Sequence, residues 1–122
     1  MLPETAAEVL VRRYLEAMAV RDLGAARALL APRFEMFFPG NVRFTTLEQL
    51  IEWSAPRYRH VQKAIACIDI AGSRVAYCSG TLSGQWTDGS QFEGIRFIDR
   101  FEIADDRLQR QDVWNDMAEM RS

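Results

Sequence analysis

The chain divides into two parts that differ in hydrophobic period. Before Pro56, apolar side chains recur every three or four residues, as at Leu10, Tyr14 and Met18, which predicts amphipathic helices. Proline cannot continue a helix, so Pro32 is predicted to end the second helix and Pro56 the third. Three helix starts are marked by capping residues: Thr5 with Glu8, Asp22, and either Thr45 with Glu48 or Thr46 with Gln49.

After Pro56 the pattern is that of consecutive strands separated by turn signals such as Asp88-Gly89. The predicted strands cover 63–71, 74–86, 90–104 and 107–116, and an earlier short strand covers 32–40. Helices followed by an antiparallel meander indicate an α+β fold. We expect three N-terminal helices packed on a strongly curved, mostly antiparallel sheet, which forms a cone with an apolar pocket at its open end.

Length and charge narrow the class of protein. The 122 residues fit a single domain, predicted to cover 1–122. A net charge of −2 argues against a nucleic-acid partner. No apolar run approaches the roughly 20 residues needed to cross a bilayer, so no membrane partner is expected. The sequence lacks the pattern of a secretory signal at its start, which predicts a cytoplasmic protein.

Metal and redox chemistry have little support in the sequence. His60 is the only histidine, and no cluster of cysteine and histidine is present, so no metal site is predicted. Cys67 and Cys78 both fall in predicted strands and are expected to be buried free thiols. No organic cofactor is expected either.

Asp99 breaks the alternation of the strand GIRFIDRFEI. It falls on the apolar face, in line with Ile95, Phe97 and Phe101. A carboxylate is costly to bury unless it is used or paired. One interpretation is that apolar surroundings raise its pKa, so that it is protonated and donates to a ligand. The alternative is that it caps a turn or pairs with a buried tyrosine or arginine.

Four segments resemble the nuclear transport factor two-like superfamily, which includes SnoaL-like polyketide cyclases, limonene epoxide hydrolase and ketosteroid isomerase. They are VRRYLEAMAVRDLGAARALLAP, FEMFFPGN, FIDRFEIADDRL and DVWNDMAEMR. The resemblance extends over nearly the whole chain and implies the same cone-shaped fold. Function varies widely on this fold, so the site residues have to be compared one by one.

The resemblance to ketosteroid isomerase implies roles for two residues. Tyr14 matches the tyrosine of the first helix, and Asp99 matches the protonated aspartic acid, which together donate to a developing oxyanion. The aspartate that moves the proton would fall on Phe38, which cannot act as a base.

The resemblance to other relatives draws attention to Asp112. In limonene epoxide hydrolase and SnoaL-type cyclases an aspartate lies near this position on the last strand, so Asp112 is a candidate acid and base. The arginine–aspartate pair of the epoxide hydrolase would fall near Ser79 and Thr81, which cannot replace it. Because Asp112 alternates with Arg110, a surface ion pair with Arg110 or Arg100 is the alternative.

Six further side chains are candidates for ligand binding. Trp53 and Tyr58 lie on and just after the third helix, near the cavity mouth of relatives. The segment Arg57, Arg59, His60 and Lys63 is either an anion-binding lip or a solvated surface. For the large aromatics, core packing or a dimer interface is the alternative. The candidates are Phe38, Trp53, Tyr58, His60, Phe97 and Trp114.

Two hypotheses of function follow. The first is cofactor-independent acid/base catalysis on a small hydrophobic molecule: isomerisation, cyclisation, dehydration or hydrolysis. The second is a non-catalytic protein that binds a small ligand or serves as a dimeric accessory. The resemblance also implies a homodimer through the outer sheet face, for which Ile68, Ile70, Leu82 and Trp86 are the predicted apolar patch.

Overall fold

Four helices and six strands are present in residues 5–120, the part of the chain that the computed structural model describes. The helices are α1 (Ala6–Ala19), α2 (Leu23–Arg27), α3 (Leu47–Ser54) and α4 (Met117–Met120). The strands are β1 (Leu30–Phe38), β2 (Val42–Phe44), β3 (Tyr58–Ala71), β4 (Val75–Trp86), β5 (Gln91–Ala104) and β6 (Arg107–Asn115). The predicted α+β class is confirmed. The short elements β2 and α4 were not predicted, so the helices number four in this part of the chain instead of three.

The capping residues act as their sequence positions predict. The Thr5 side chain accepts a hydrogen bond from the Glu8 backbone N–H at 3.1 Å and begins α1. Asp22 does the same for α2. Of the two alternatives for α3, Thr46 with Gln49 forms the complete capping box.

The second helix is shorter than predicted. It ends at Arg27, well before Pro32, and the chain then enters β1. The reason is tertiary: β1 pairs with β6 in parallel, with Leu30 opposite Leu108. Pro32 lies where the register of that pairing shifts between Leu30 and Glu35, a place where a missing backbone N–H is tolerated.

The six strands form one sheet, and one of its faces supplies a large part of the hydrophobic core. Its strand order is β2-β1-β6-β5-β4-β3, and only the β1–β6 pair is parallel among the described strands. Helix α1 contacts β3, β4 and β6 and covers one face, here called the inner face. Ile95, Phe97, Asp99 and Phe101 of β5 all point to this face and are at most 3% exposed.

Bulges and other shifts of register change which residues reach the inner face. In β6 the register skips Gln109, so Leu108 and Gln111 both lie inward. In β3 it skips Ala66, so Ile65 and Ile68 both pack against the core.

The predicted outer apolar patch is therefore wrong. Ile68, Ile70 and Trp86 pack against the core cluster, and Leu82 is 4% exposed within it.

The two cysteines lie in different surroundings. Cys78 is fully buried in β4, as predicted, whereas Cys67 is exposed and contacts Ser79 at 3.2 Å. The prediction that both thiols are buried is wrong for Cys67, because the bulge at Ala66 turns it away from the core. Within residues 5–120, no helix is long and apolar enough to span a bilayer.

Candidate functional site

A cavity of about 550 Å³ lies between the inner face of the sheet and helices α1 and α3. That volume falls in the range of sites for small organic ligands. Most of the wall is apolar, and polar side chains are concentrated at a few points. Of the predicted site residues, six line it: Tyr14, Phe38, Trp53, Tyr58, Phe97 and Asp99.

Asp99 lies at the centre of the polar part of the wall. It sits in β5 between Cys78 of β4 and Val113 of β6, and none of its surface is exposed. Its Oδ2 accepts hydrogen bonds from Lys63 Nζ and, at 3.3 Å, from Gln111 Nε2. Its Oδ1 has no hydrogen-bond partner among residues 5–120. Because Lys63 and Gln111 both donate to Asp99, its carboxylate is a hydrogen-bond acceptor here. The first interpretation of the sequence, in contrast, expected a protonated Asp99 that donates to a ligand.

Lys63 is the only lysine in the sequence. It extends inward from the edge strand β3, and its ammonium lies 4.9 Å from the centroid of the Phe97 ring. The side chain is 29% exposed, while Asp99 is fully enclosed. The pairing of Asp99 thus follows the predicted alternative of a buried ion pair, with a lysine as the cation in place of an arginine.

Tyr14 is linked to Asp99 through the side chain of Gln111. Its hydroxyl donates to Gln111 Oε1 at 3.0 Å, and Gln111 donates to Asp99 in turn. Burial raises the pKa of the Tyr14 phenol above its ordinary value of 10.0, and the charge of Asp99 raises it further. Tyr14 therefore remains a neutral donor that holds the glutamine in one orientation.

Gln111 is a site residue that the sequence patterns did not single out. It is 3% exposed and connects Tyr14 to Asp99. Strict alternation on the last strand puts Asp112 on the pocket face, but the bulge at Gln109 shifts the pattern by one residue. Lys63 was interpreted as part of a charged lip. Lys63 is the only lysine of the chain, and this is the one signal in the sequence that singles it out.

Asp112 does not reach the cavity. It lies on the outer face, where Arg110 donates to both of its carboxylate oxygens at 2.9 and 3.0 Å. Arg100 lies 3.8 Å away, and the bond to Asp112 raises the pKa of Arg110. This is the predicted alternative, a surface ion pair. Trp114 lies on the same face, 52% exposed, and does not line the cavity either.

His60 also lies away from the cavity. The first long strand was predicted to begin at 63, but β3 begins at Tyr58 and includes His60. The register of β3 with β4 skips Arg59, so Tyr58 lies inward, while His60 falls on the other face, where it is exposed and lines only a separate surface depression. Within residues 5–120, no group of three His, Cys, Asp or Glu side chains is placed to hold a metal ion.

Aromatic rings form one wall. Phe38 lies 5.2 Å from Trp53 and 5.5 Å from Phe44, measured between ring centroids. The Arg57 guanidinium lies over the Trp53 ring at 4.0 Å. Phe38 thus serves as apolar wall. The cavity as a whole can hold an apolar body, with Asp99 and Lys63 at its polar side.

Solved structures with the same fold were found, although no protein-family profile and no curated protein matches the sequence. An NTF2-like protein of unknown function from Burkholderia pseudomallei superposes with a TM-score of 0.84 at 19% identity, over 96% of this chain and 95% of that one. A SnoaL-like polyketide cyclase candidate from Jannaschia gives 0.75 at 15% identity, over 98% and 94%. An LEH-like epoxide hydrolase from M. tuberculosis gives 0.75 at 20%, over 97% and 89%.

The chain is therefore similar in structure to NTF2-like and SnoaL-like proteins and has their fold, as the resemblance in sequence predicted. At identities of 20% or less, the likeness establishes the fold, and the activity has to be argued from the site.

Proposed function

We propose that this protein is a cofactor-independent acid/base catalyst that acts on a small hydrophobic molecule in the cavity, with Asp99 as the proton acceptor. The observation that carries the proposal is the state of Asp99. One carboxylate oxygen is held by Lys63 and Gln111, while Oδ1 is buried at the cavity wall without a partner among residues 5–120. A buried acceptor without a donor is costly to maintain, and it suits a group that receives a proton from a substrate.

The chemistry can be written as a proton transfer next to a carbonyl group. Oδ1 of Asp99 takes a proton from the carbon beside the carbonyl, the C–H bond breaks, and its electron pair moves to the carbonyl oxygen. The Lys63 ammonium stabilises the oxyanion that forms. Where a C=C bond adjoins the enolate, Asp99 returns the proton to the far carbon of the dienolate and gives an isomer; where the carbanion attacks a second carbonyl, a ring forms and Asp99 returns the proton to the new alkoxide.

Tyr14 and Gln111 act as positioning residues in this scheme. The hydroxyl of Tyr14 fixes the amide of Gln111, and the amide fixes Oδ2 of Asp99. This arrangement keeps Oδ1 aimed in one direction, and a fixed base needs little reorganisation during the reaction.

The shape of the cavity and the fold support the same class of substrate. A volume of about 550 Å³ with an aromatic wall suits an apolar molecule with one or two polar atoms. Structures with the same fold include a polyketide cyclase candidate and an epoxide hydrolase, so this scaffold is used for chemistry on small organic molecules.

Deuterium exchange tests the proposal without a known substrate. Acetophenone and β-tetralone carry exchangeable protons beside a carbonyl, and proton NMR in D₂O follows their loss. We expect the wild-type protein to accelerate exchange and Asp99→Asn to lower that rate at least about a hundredfold. Asp112→Asn removes an equal charge outside the cavity and should leave the rate unchanged. Equal rates for wild-type protein and Asp99→Asn would contradict the assignment.

A non-catalytic binding protein is the second candidate. One observation and one implication of the resemblance favour it: Asp99 already has an ion partner in Lys63, and the resemblance to ketosteroid isomerase puts Phe38 where that enzyme has its base. In that case Asp99 orients a ligand by accepting a hydrogen bond. Tight binding of such ketones with no acceleration of exchange would favour this function over catalysis.

A further inference from the structure

The guanidinium of Arg57 lies at the wall of the cavity and has no polar partner in the described part of the chain. It lies over the Trp53 ring at 4.0 Å, and Trp53 is fixed in turn by Phe38 and Phe44. Among residues 5–120, its side chain makes no hydrogen bond and no ion pair. Stacking on a ring occupies the face of a guanidinium and leaves the N–H groups on its edge available.

The cavity wall is more positive than the protein as a whole. It includes four basic side chains and two acidic ones, Glu16 and Asp99, while the whole chain has a net charge of −2. Lys63 neutralises Asp99, and Glu8 lies 3.8 Å from Arg12. The field of these positive charges reaches the buried Tyr14: the charge of Arg21 lowers the pKa of the Tyr14 phenol, although burial raises that pKa by more.

The Arg57 guanidinium, on an exposed residue at the cavity wall, and the buried Oδ1 of Asp99 suit opposite partners. The fork of an arginine matches the two oxygens of a carboxylate. Oδ1 of Asp99 needs a hydroxyl or another donor. Both groups line the same cavity as the apolar side chains of Phe38 and Phe97.

We propose that the occupant of the cavity is an apolar hydroxy acid, whose carboxylate binds Arg57 and whose hydroxyl donates to Asp99. This inference rests on the proposed function, since it assigns a substrate class to the same cavity with Oδ1 of Asp99 as the acceptor, here of a hydroxyl proton in place of a proton on carbon, and it adds the requirement for an anionic group. A neutral ketone satisfies the proposed function alone, whereas it provides no anion for Arg57.

Three related compounds test the two contacts separately. Para-hydroxycinnamate has both groups, its methyl ester lacks the anion, and cinnamate lacks the hydroxyl. In calorimetric titrations we expect the hydroxy acid to bind at least about tenfold more tightly than either relative. High salt should weaken binding of the acid more than that of the ester.

Arginine variants locate the anion site. Arg57→Gln should weaken binding of the acid to the level of the ester and leave the ester unchanged. Arg59→Gln is the matched control, because Arg59 does not line the cavity and carries the same charge two residues away. Arg57→Lys keeps the charge and loses the fork, so its affinity should be intermediate. Both glutamine variants should give the wild-type circular dichroism spectrum.

Three outcomes would overturn the inference: equal affinity for acid and ester, equal effects of the two glutamine variants, or no binding of any of the three compounds. The exchange assay separates this result from the proposed function. If Asp99→Asn abolishes exchange of neutral ketones while the acid shows no preference, the acid/base role stands and the requirement for an anion is wrong.

Discussion

The Lys63 ammonium donates to Oδ2 of Asp99, and this pair connects the edge strand β3 to β5 across the intervening strand β4. Asp99 is fully buried, so its charge has little stabilisation from water and depends on this partner and on Gln111. The pair thus belongs both to the core of the protein and to its candidate site.

Removal of the lysine should destabilise the fold. Lys63→Met leaves the Asp99 charge buried without a cation, and we expect the free energy of unfolding to fall by about 2–4 kcal/mol. Urea denaturation measures it. In the double variant with Asp99→Asn, the loss should be smaller than the sum of the two single losses. Arg59→Met, which removes an exposed cation, is the control and should change stability by about 0.5 kcal/mol or less. Strict additivity would contradict the pairing.

The tyrosine hydroxyl should also contribute to stability. Tyr14→Phe leaves the buried Gln111 Oε1 without its donor, which should cost about 1–2 kcal/mol in urea denaturation. Tyr58→Phe removes a hydroxyl from the same cavity wall, where no hydrogen bond to residues 5–120 is made, and should be close to neutral. Equal free energies of unfolding for the two variants would show that the hydrogen bonds from Tyr14 through Gln111 to Asp99 do not stabilise the fold.

The sequence predicted the buried carboxylate but not its partners. Asp99 could be found because β5 keeps a period of two from Ile95 to Phe101, and a charge on the apolar face is then conspicuous. Gln111 could not, because one bulged residue, Gln109, exchanges the two faces of β6. Alternation therefore drew attention to Asp112, whose side chain pairs with Arg110 on the outside.

Helix starts were easier to predict than helix ends. The caps at Thr5 and Asp22 are local contacts that the sequence encodes directly. The end of α2 depends on a strand pairing with Leu108, which is distant in sequence. The same holds for Lys63, whose role depends on a residue 36 positions later.

Glycine at position 80 should be indispensable to the pairing of β3 and β4. A Cβ there would lie 1.9 Å from the backbone oxygen of Ala64, so Gly80→Ala has to separate the strands beside the bulge. We expect a loss of about 2–4 kcal/mol in thermal or urea unfolding. Gly24→Ala is the control: its Cβ has no neighbour closer than 3.8 Å, and it should stabilise α2 by up to about 1 kcal/mol. A neutral Gly80→Ala would show that these strands are not in close contact.

The homodimer implied by the resemblance stays a prediction, now with a different patch. Ile98 and Trp114 lie opposite each other on the outer face, 47% and 52% exposed. A twofold axis beside this pair would bury both apolar side chains of each copy. We expect sedimentation to give a dimer and Trp114→Glu to give a monomer. Val20→Glu, at an exposed site away from the sheet, should remain dimeric. A wild-type monomer at high micromolar concentration would contradict the prediction.

Stability should fall in alkaline solution through Cys78. Burial and the charge of Asp99 raise the pKa of this thiol from 9.0 to about 11, so the folded protein keeps a proton that the unfolded chain releases. The stabilisation is complete below about pH 9 and is lost as the pH rises towards 11, on the order of 2 kcal/mol. Urea denaturation across this range should show a shallower decline for Cys78→Ala than for wild type. The exposed Cys67 provides the control, because Cys67→Ala should keep the wild-type slope. Equal slopes for wild type and both variants would mean that Cys78 titrates alike in the folded and unfolded chains.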